Sequence, residues 1–175
     1  MRSAVQLAKL GEFMRGIARA ATSPGRIYLT GGASSLLLHI REQTADIDIK
    51  LCPEPGAAFE AIARLKDSLD INIELASPDH FIPELPRWEE RSEFIVAHGG
   101  VEFYHYDFYS QALSKILRGH PKDLDDVRAY ARLEKIELSQ LKELFHSIEA
   151  AMIRYPAIRP DVFEAKLNRF IRELT

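Results

Sequence analysis

Apolar side chains return every three to four positions early in the chain, at Leu10, Phe13, Met14, Ile17 and Ala21. That spacing predicts an amphipathic helix, capped by Ser3 and ended by Ser23-Pro24-Gly25. The period then shortens. Ile27-Tyr28-Leu29 reads as a strand running into Gly31-Gly32, and residues 33–39 as a compact buried helix. From Thr44 to Leu51 the alternation is strict: Ile47, Ile49 and Leu51 face one way, Asp46, Asp48 and Lys50 the other, as a strand requires. Helical spacing resumes over residues 57–69 through Phe59, Ile62, Ala63 and Leu65. Ile71 to Leu75 alternates again, with Asn72 and Glu74 on the polar face.

Residues 78–86, with three prolines, read as a loop. Phe94-Ile95-Val96 and Val101 to Tyr106 form a predicted hairpin around His98-Gly99-Gly100. The rest is helical. Phe108 to Arg118 stops at Gly119, with Pro121 opening the next segment, Leu124 to Leu133. Two amphipathic stripes follow, one through Leu141, Leu144, Phe145, Ile148 and Met152, the other through Phe163, Leu167, Phe170, Ile171 and Leu174. The pattern therefore predicts an α/β (α+β) domain over residues 1–106 and a helical domain over residues 107–175.

Composition narrows the classes without choosing one. The chain has 175 residues, enough for a substantial core. Its net charge of −3 argues against a surface covered in basic groups, though a local basic groove stays open. Cys52 is the one cysteine, so no disulfide framework or Cys-rich zinc site exists within the chain, and a reducing, cytoplasmic setting is expected. Lys9, Glu12 and Arg15 interrupt the early apolar residues, so neither a signal peptide nor a membrane partner is expected.

The candidate chemistry lies in two places. Asp46 and Asp48 share a strand face about 6.6 Å apart, where two ionised carboxylates repel by about 2.5 kcal/mol at an effective dielectric constant of about 20. A divalent cation removes that penalty, and Mg²⁺ (or Mn²⁺) is typically held by one or two carboxylates plus substrate phosphates. Glu74 is the candidate third carboxylate, since its strand alternates in the same way; Asn72 is a weaker ligand on that face. The competing reading is a solvent-facing edge strand, which the depletion of Asp in strands disfavours. The second place is Gly31-Gly32, where absent side chains let a backbone approach phosphate and Ser34 adds a hydroxyl. The spacing is not that of a P-loop, and a lone Gly-Gly also suits a plain tight turn.

Gly31-Gly32-Ala33-Ser34, a spacer, then Asp46-Ile47-Asp48 resembles the signature of the nucleotidyltransferase superfamily (polymerase-β-like fold). The form Thr44-Ala45-Asp46-Ile47-Asp48-Ile49-Lys50 is similar to that of the AbiEii-like and MenT-type toxins and of small bacterial relatives. Lys115-Ile116-Leu117-Arg118 followed by Lys122-Asp123-Leu124-Asp125-Asp126-Val127 resembles the helical motif of the same toxins. The resemblance implies a short mixed sheet flanked by helices, with a C-terminal helical bundle. It implies Mg²⁺-dependent transfer of a nucleotidyl group from a nucleoside triphosphate, with Asp46 and Asp48 as metal ligands and the Gly31-Gly32 backbone and Ser34 as phosphate cradle. It further implies that Lys115 contacts triphosphate, that Asp123 or Asp126 is a required acid, and that Thr44, Lys50 and Arg118 join the nucleotide-binding set. Glu74 stands where an aspartate is usual, as base or third ligand. Local electrostatics alone also accounts for cations at one helix end and Asp123, Asp125 and Asp126 at the next helix start.

The acceptor by analogy is RNA or tRNA, a protein hydroxyl, or a small molecule of the aminoglycoside type. A rival class is an antitoxin-like or regulatory protein that keeps the fold without turnover and binds a cognate partner. Trp88, beside Arg87 and Arg91, is a candidate to stack a base or to pack on its own loop. The six histidines show no zinc-ligand spacing.

Overall fold

The computed structural model describes residues 2–175. The chain divides into two compact units. The first holds residues up to Ser77 together with Ser92–Tyr106, and the second holds Pro78–Arg91 and Asp107–Thr175.

The first unit is an open mixed sheet with helices. In chain order it contains α1 (Leu7–Ala20), β1 (Gly25–Thr30), α2 (Gly31–Leu37), β2 (Asp46–Leu51), α3 (Ala58–Ser68), β3 (Asn72–Glu74), β4 (Glu93–His98) and β5 (Val101–His105). The strands lie in the order β3-β2-β1-β5-β4. β1 runs antiparallel to β2 and parallel to β5, β2 runs parallel to β3, and the β4–β5 hairpin is antiparallel with a bulge between Phe94 and Val96. The period-two pattern sets which face is buried. Ile27, Leu29, Ile47, Ile49, Ile73, Val101 and Phe103 are at most 1% exposed and join one cluster with Leu10, Phe13, Met14 and Ile17 of α1, Ala33 and Leu36 of α2, and Ile62 of α3. Gly16 lets α1 lie close to α3, since a Cβ there would come within 2.7 Å of Leu65 Cδ2.

The opposite face carries the polar and aromatic set. Register lines up Lys50, Tyr28, Tyr104 and Phe94 across β2, β1, β5 and β4. Arg26 and Glu102 form the next row, ion-paired at 3.0 Å, and Tyr104 donates to the same Glu102 carboxylate. Burial first, and that carboxylate second, raise the Tyr104 phenol above its ordinary value.

The second unit comprises a 3₁₀ turn at Pro78–His80, α4 (Trp88–Arg91), α5 (Phe108–Arg118), α6 (Pro121–Arg132), α7 (Leu138–Ile148), a 3₁₀ segment at Glu149–Arg154 and α8 (Pro160–Leu174). α5 is its axis: every residue from Phe108 to Ile116 is buried, and it packs on α6, α7 and α8. Edge-on ring pairs, Phe108 with Tyr130 and Phe145 with Phe163, both at 5.0 Å, fill the interior. Asp107, fully buried, starts α5. Its carboxylate accepts from the Tyr109 and Ser110 backbone N–H groups, from the Ser110 hydroxyl and from both arms of Arg91 at 2.9 and 3.1 Å. Gly119, in the left-handed region at φ +71°, ends α5, and Pro121 opens α6.

Two expectations change, and the alternative left open for Trp88 is decided. α3 forms as expected, but its buried face is Ala58, Ala61 and Ile62; Phe59 is 50% exposed and Ala63 is exposed. Residues 78–91 belong to the second unit rather than to the α/β domain, and the loop buries Ile82 and Leu85. Trp88 is 5% exposed, so it packs rather than offering a face to a base. No helix among the described residues is long and apolar enough to cross a membrane.

Asp107→Ala removes both a helix cap and the bidentate partner of Arg91. It is expected to cost the second unit about 3–5 kcal/mol, read as a lowered urea midpoint, because a buried carboxylate that takes five hydrogen bonds is lost and Arg91 keeps only the Pro86 carbonyl. A cost below about 1 kcal/mol, the level of an exposed pair, would contradict this reading of the contact.

Candidate active site

β1 delivers the chain into the glycine turn. Thr30, its last residue, pairs with Asp48 on β2, so the Asp48 carboxylate lies against the turn. Gly31 adopts φ +58°, and a Cβ there would sit 2.7 Å from Asp48 Oδ2. Gly32 faces Thr44 in the same way, with a Cβ falling 2.0 Å from Thr44 Oγ1. Thr44 is fixed by reciprocal backbone hydrogen bonds with Val5 at 2.7 and 2.9 Å. Both glycines are thus required before any ligand is considered: one admits a carboxylate and a left-handed backbone, the other admits a hydroxyl.

Asp46 and Asp48 share the outer face of β2, with Ile47 and Ile49 directed to the core. β3 lies alongside in register, placing Asn72 beside Asp46 and Glu74 beside Asp48. Asn72 Nδ2 donates to Asp46 Oδ1 at 2.8 Å and to Glu74 Oε1 at 2.7 Å. Asn72, expected as a weak ligand, is therefore a donor that ties two carboxylates together. Among the described residues no group of three or more His, Cys, Asp or Glu is arranged to hold a metal ion. Glu74, opposite Asp48 on the neighbouring strand, is exposed and accepts from Asn72. The pair Asp46 and Asp48 fits Mg²⁺ better than a fully protein-ligated ion: two half-buried hard oxygen donors beside a side-chain-free turn leave coordination positions for phosphate and water. Lys50 lies one step along the same face, its ammonium 5.9 Å from the centre of the Tyr106 ring.

Ser34 points the other way. It is fully buried, and its hydroxyl donates to Leu29 O at 2.9 Å and lies 3.1 Å from His105 Nδ1. Having given its one hydrogen to Leu29, it accepts from His105, which fixes the Nδ1–H tautomer. Ser34 thus braces the turn from beneath instead of facing a phosphate from above. The sequence reading passed over His105. The signal available was its place at the end of β5, but only the pairing of Leu29 with His105 brings it under the turn.

The second unit holds the helical motif. Lys115, 3% exposed, donates to Asp126 at 2.7 Å and to Asp123 at 3.3 Å. Arg118 also donates to Asp123, at 3.0 Å, and its guanidinium lies 5.6 Å from the centre of the Phe81 ring. Lys115, expected on a triphosphate, is instead buried between two carboxylates and joins the end of α5 to the start of α6. Asp123 and Asp126 are its partners, and the cluster has a structural role of its own.

The model of one family, described as "Nucleotidyltransferase of unknown function" (DUF6036), matches residues 6–174. The match spans both units and takes in the glycine turn and the carboxylate strand. The chain belongs to that family. No curated protein and no solved structure gives a match.

Gly31→Ala is expected to lower stability by about 1–2 kcal/mol through left-handed strain and to displace the Asp48 carboxylate, read together as a lower melting temperature and weaker Mn²⁺ binding. Unchanged Mn²⁺ affinity would separate the turn from the carboxylate. Lys115→Met leaves Asp126 buried without its cation and should cost about 3–5 kcal/mol. Adding Asp126→Leu should recover most of that loss in urea unfolding, because an apolar pair replaces an ionic one; no recovery would mean that the pair is not the source.

Proposed function

We propose that this protein is a Mg²⁺-dependent nucleotidyltransferase that moves a nucleoside monophosphate from a nucleoside triphosphate to an acceptor hydroxyl. The observation that carries the reading is the Asp48 carboxylate seated on Gly31, with Asp46 on the same strand face. A turn without side chains admits phosphate oxygens close to a pair of carboxylates, which is what in-line transfer at an α-phosphate needs.

In this reading Asp46 and Asp48 would hold Mg²⁺, which when bound would supply Lewis-acid polarisation of the α-phosphate and of the acceptor hydroxyl. The acceptor oxygen forms a bond to the α-phosphorus, the bond from that phosphorus to the bridging oxygen breaks, and pyrophosphate leaves. Glu74, beside Asp48 and oriented by Asn72, takes the acceptor proton. Backbone amides of the Gly31-Gly32 turn, with Thr44 at its side and Ser34 bracing it, receive the triphosphate. Lys50 offers a cation on the same face. Lys115, Asp123, Asp126 and Arg118 support the fold of the second unit, and their effect on transfer runs through stability. RNA or tRNA, a protein hydroxyl and a small molecule are the acceptor classes to be separated, and a toxin–antitoxin setting is the biological context the motifs favour. The rival reading, a binding protein without turnover, draws on the third carboxylate being an exposed glutamate held by Asn72.

Incubating the protein with each α-labelled triphosphate, Mg²⁺, and total RNA, protein or aminoglycoside pools tests this directly. Label should enter one pool, and Asp46→Ala or Asp48→Asn should reduce transfer about a hundredfold or more, a loss of about 3 kcal/mol of transition-state stabilisation. Full transfer by either variant would refute the mechanism. Triphosphate binding by calorimetry with no transfer to any pool would favour the rival.

A further inference from the structure

At the other end of the sheet, away from the carboxylates, α1 meets the β4–β5 hairpin. Arg15, Ala18, Arg19, His98 and Gly99 line a cavity of about 280 Å³ there. It lies by the strand ends where Gly25 pairs with Val101, whereas Asp48 pairs with Thr30, so it is roughly 16 Å along β1 from the candidate active site.

Two cations lie close together in sequence at this place. Arg15 and Arg19 sit four residues apart on α1, both exposed, and neither has an ion pair among the described residues, although Glu12 is one turn away from Arg15. Like charges at that spacing destabilise a helix, so an anion between them removes a penalty as well as adding contacts. His98, at the end of β4, lines the same cavity and turns its ring edge-on to Phe103 at 5.9 Å. Gly99, at φ +57°, has open space where a Cβ would be, and Ala18 is small, so the cavity is kept free by residue size. A guanidinium fork donates two parallel N–H bonds to the oxygens of a phosphate, as it does to a carboxylate, and stays charged at any working pH.

We propose that this cavity is a second site, specific for a phosphate group and formed by Arg15, Arg19 and His98. The group is carried either by a free phosphate compound or by the phosphodiester backbone of a nucleic acid. In the second case the cavity anchors a strand well away from the carboxylates. The proposal stands without the nucleotidyl-transfer reading, because no residue of that site takes part.

Two titrations of the full chain separate the sources: inorganic phosphate or ATP followed by NMR at the Gly99 amide and the Arg15 and Arg19 Nε–H groups, and fluorescein-labelled single-stranded RNA followed by anisotropy. Binding should shift those signals. Arg15→Ala with Arg19→Ala should weaken the bound ligand roughly tenfold or more, while the paired Lys variant retains part of it. If the source is RNA, the log–log salt slope should become shallower by about 1.4, from two lost phosphate contacts at about 0.7 each. Shifts with phosphate or ATP alone assign the site to free phosphate compounds. Signals unmoved by every ligand, or a folded double Ala variant that binds as wild type, would overturn the proposal.

Discussion

The pairing of Thr30 with Asp48 across β1 and β2 is the constraint from which the candidate site follows. A slip of one residue would turn Asp46 and Asp48 into the core and Ile47 and Ile49 out to water. The buried cluster against α1, α2 and α3 prevents that slip, so core packing sets the address of the carboxylates. Register then brings Asp48 to within contact of Gly31 and Glu74 to its side. Gly31 and Gly32 are needed at this point by geometry alone, the first to admit the Asp48 carboxylate and the second the Thr44 hydroxyl.

Charge is handled differently in the two units. In the first, Asp46 and Asp48 are half-buried, and the neutral Asn72 amide joins Asp46 to the exposed Glu74. In the second, cations and carboxylates are matched and withdrawn from water, as Arg91 with Asp107 and Lys115 with Asp126. Such buried pairs add little net stability over apolar packing, but breaking one is costly, which makes them fixing points. Asp107 and Arg91 explain why residues 78–91 belong with α5 rather than with the sheet that flanks them in sequence.

Period-two runs make β1, β2 and the hairpin legible, and the spacing of the two glycines from Asp46 and Asp48 marks out the candidate site. What sequence did not reveal depends on neighbours far along the chain. The phase of α3 was misread because its buried face uses Ala58 and Ala61, small residues that look neutral, while Phe59 draws the eye and is exposed. Ser34 looked like part of a cradle until the strand pairing of Leu29 with His105 set a histidine beneath it. Lys115 and Asp126 each had a sufficient local explanation at a helix end, and only the turn between α5 and α6 shows that they partner one another.

In the proposed mechanism Asp46 and Asp48 hold a divalent cation beside a triphosphate lying on the Gly31-Gly32 turn. Crystals grown with Mn²⁺ and a non-hydrolysable nucleoside triphosphate, measured for anomalous scattering, probe that arrangement. An anomalous peak coordinated by both carboxylates, with phosphate oxygens over the glycine backbone, is the expected result. A bound nucleotide elsewhere, with Mn²⁺ away from Asp46 and Asp48, would contradict it.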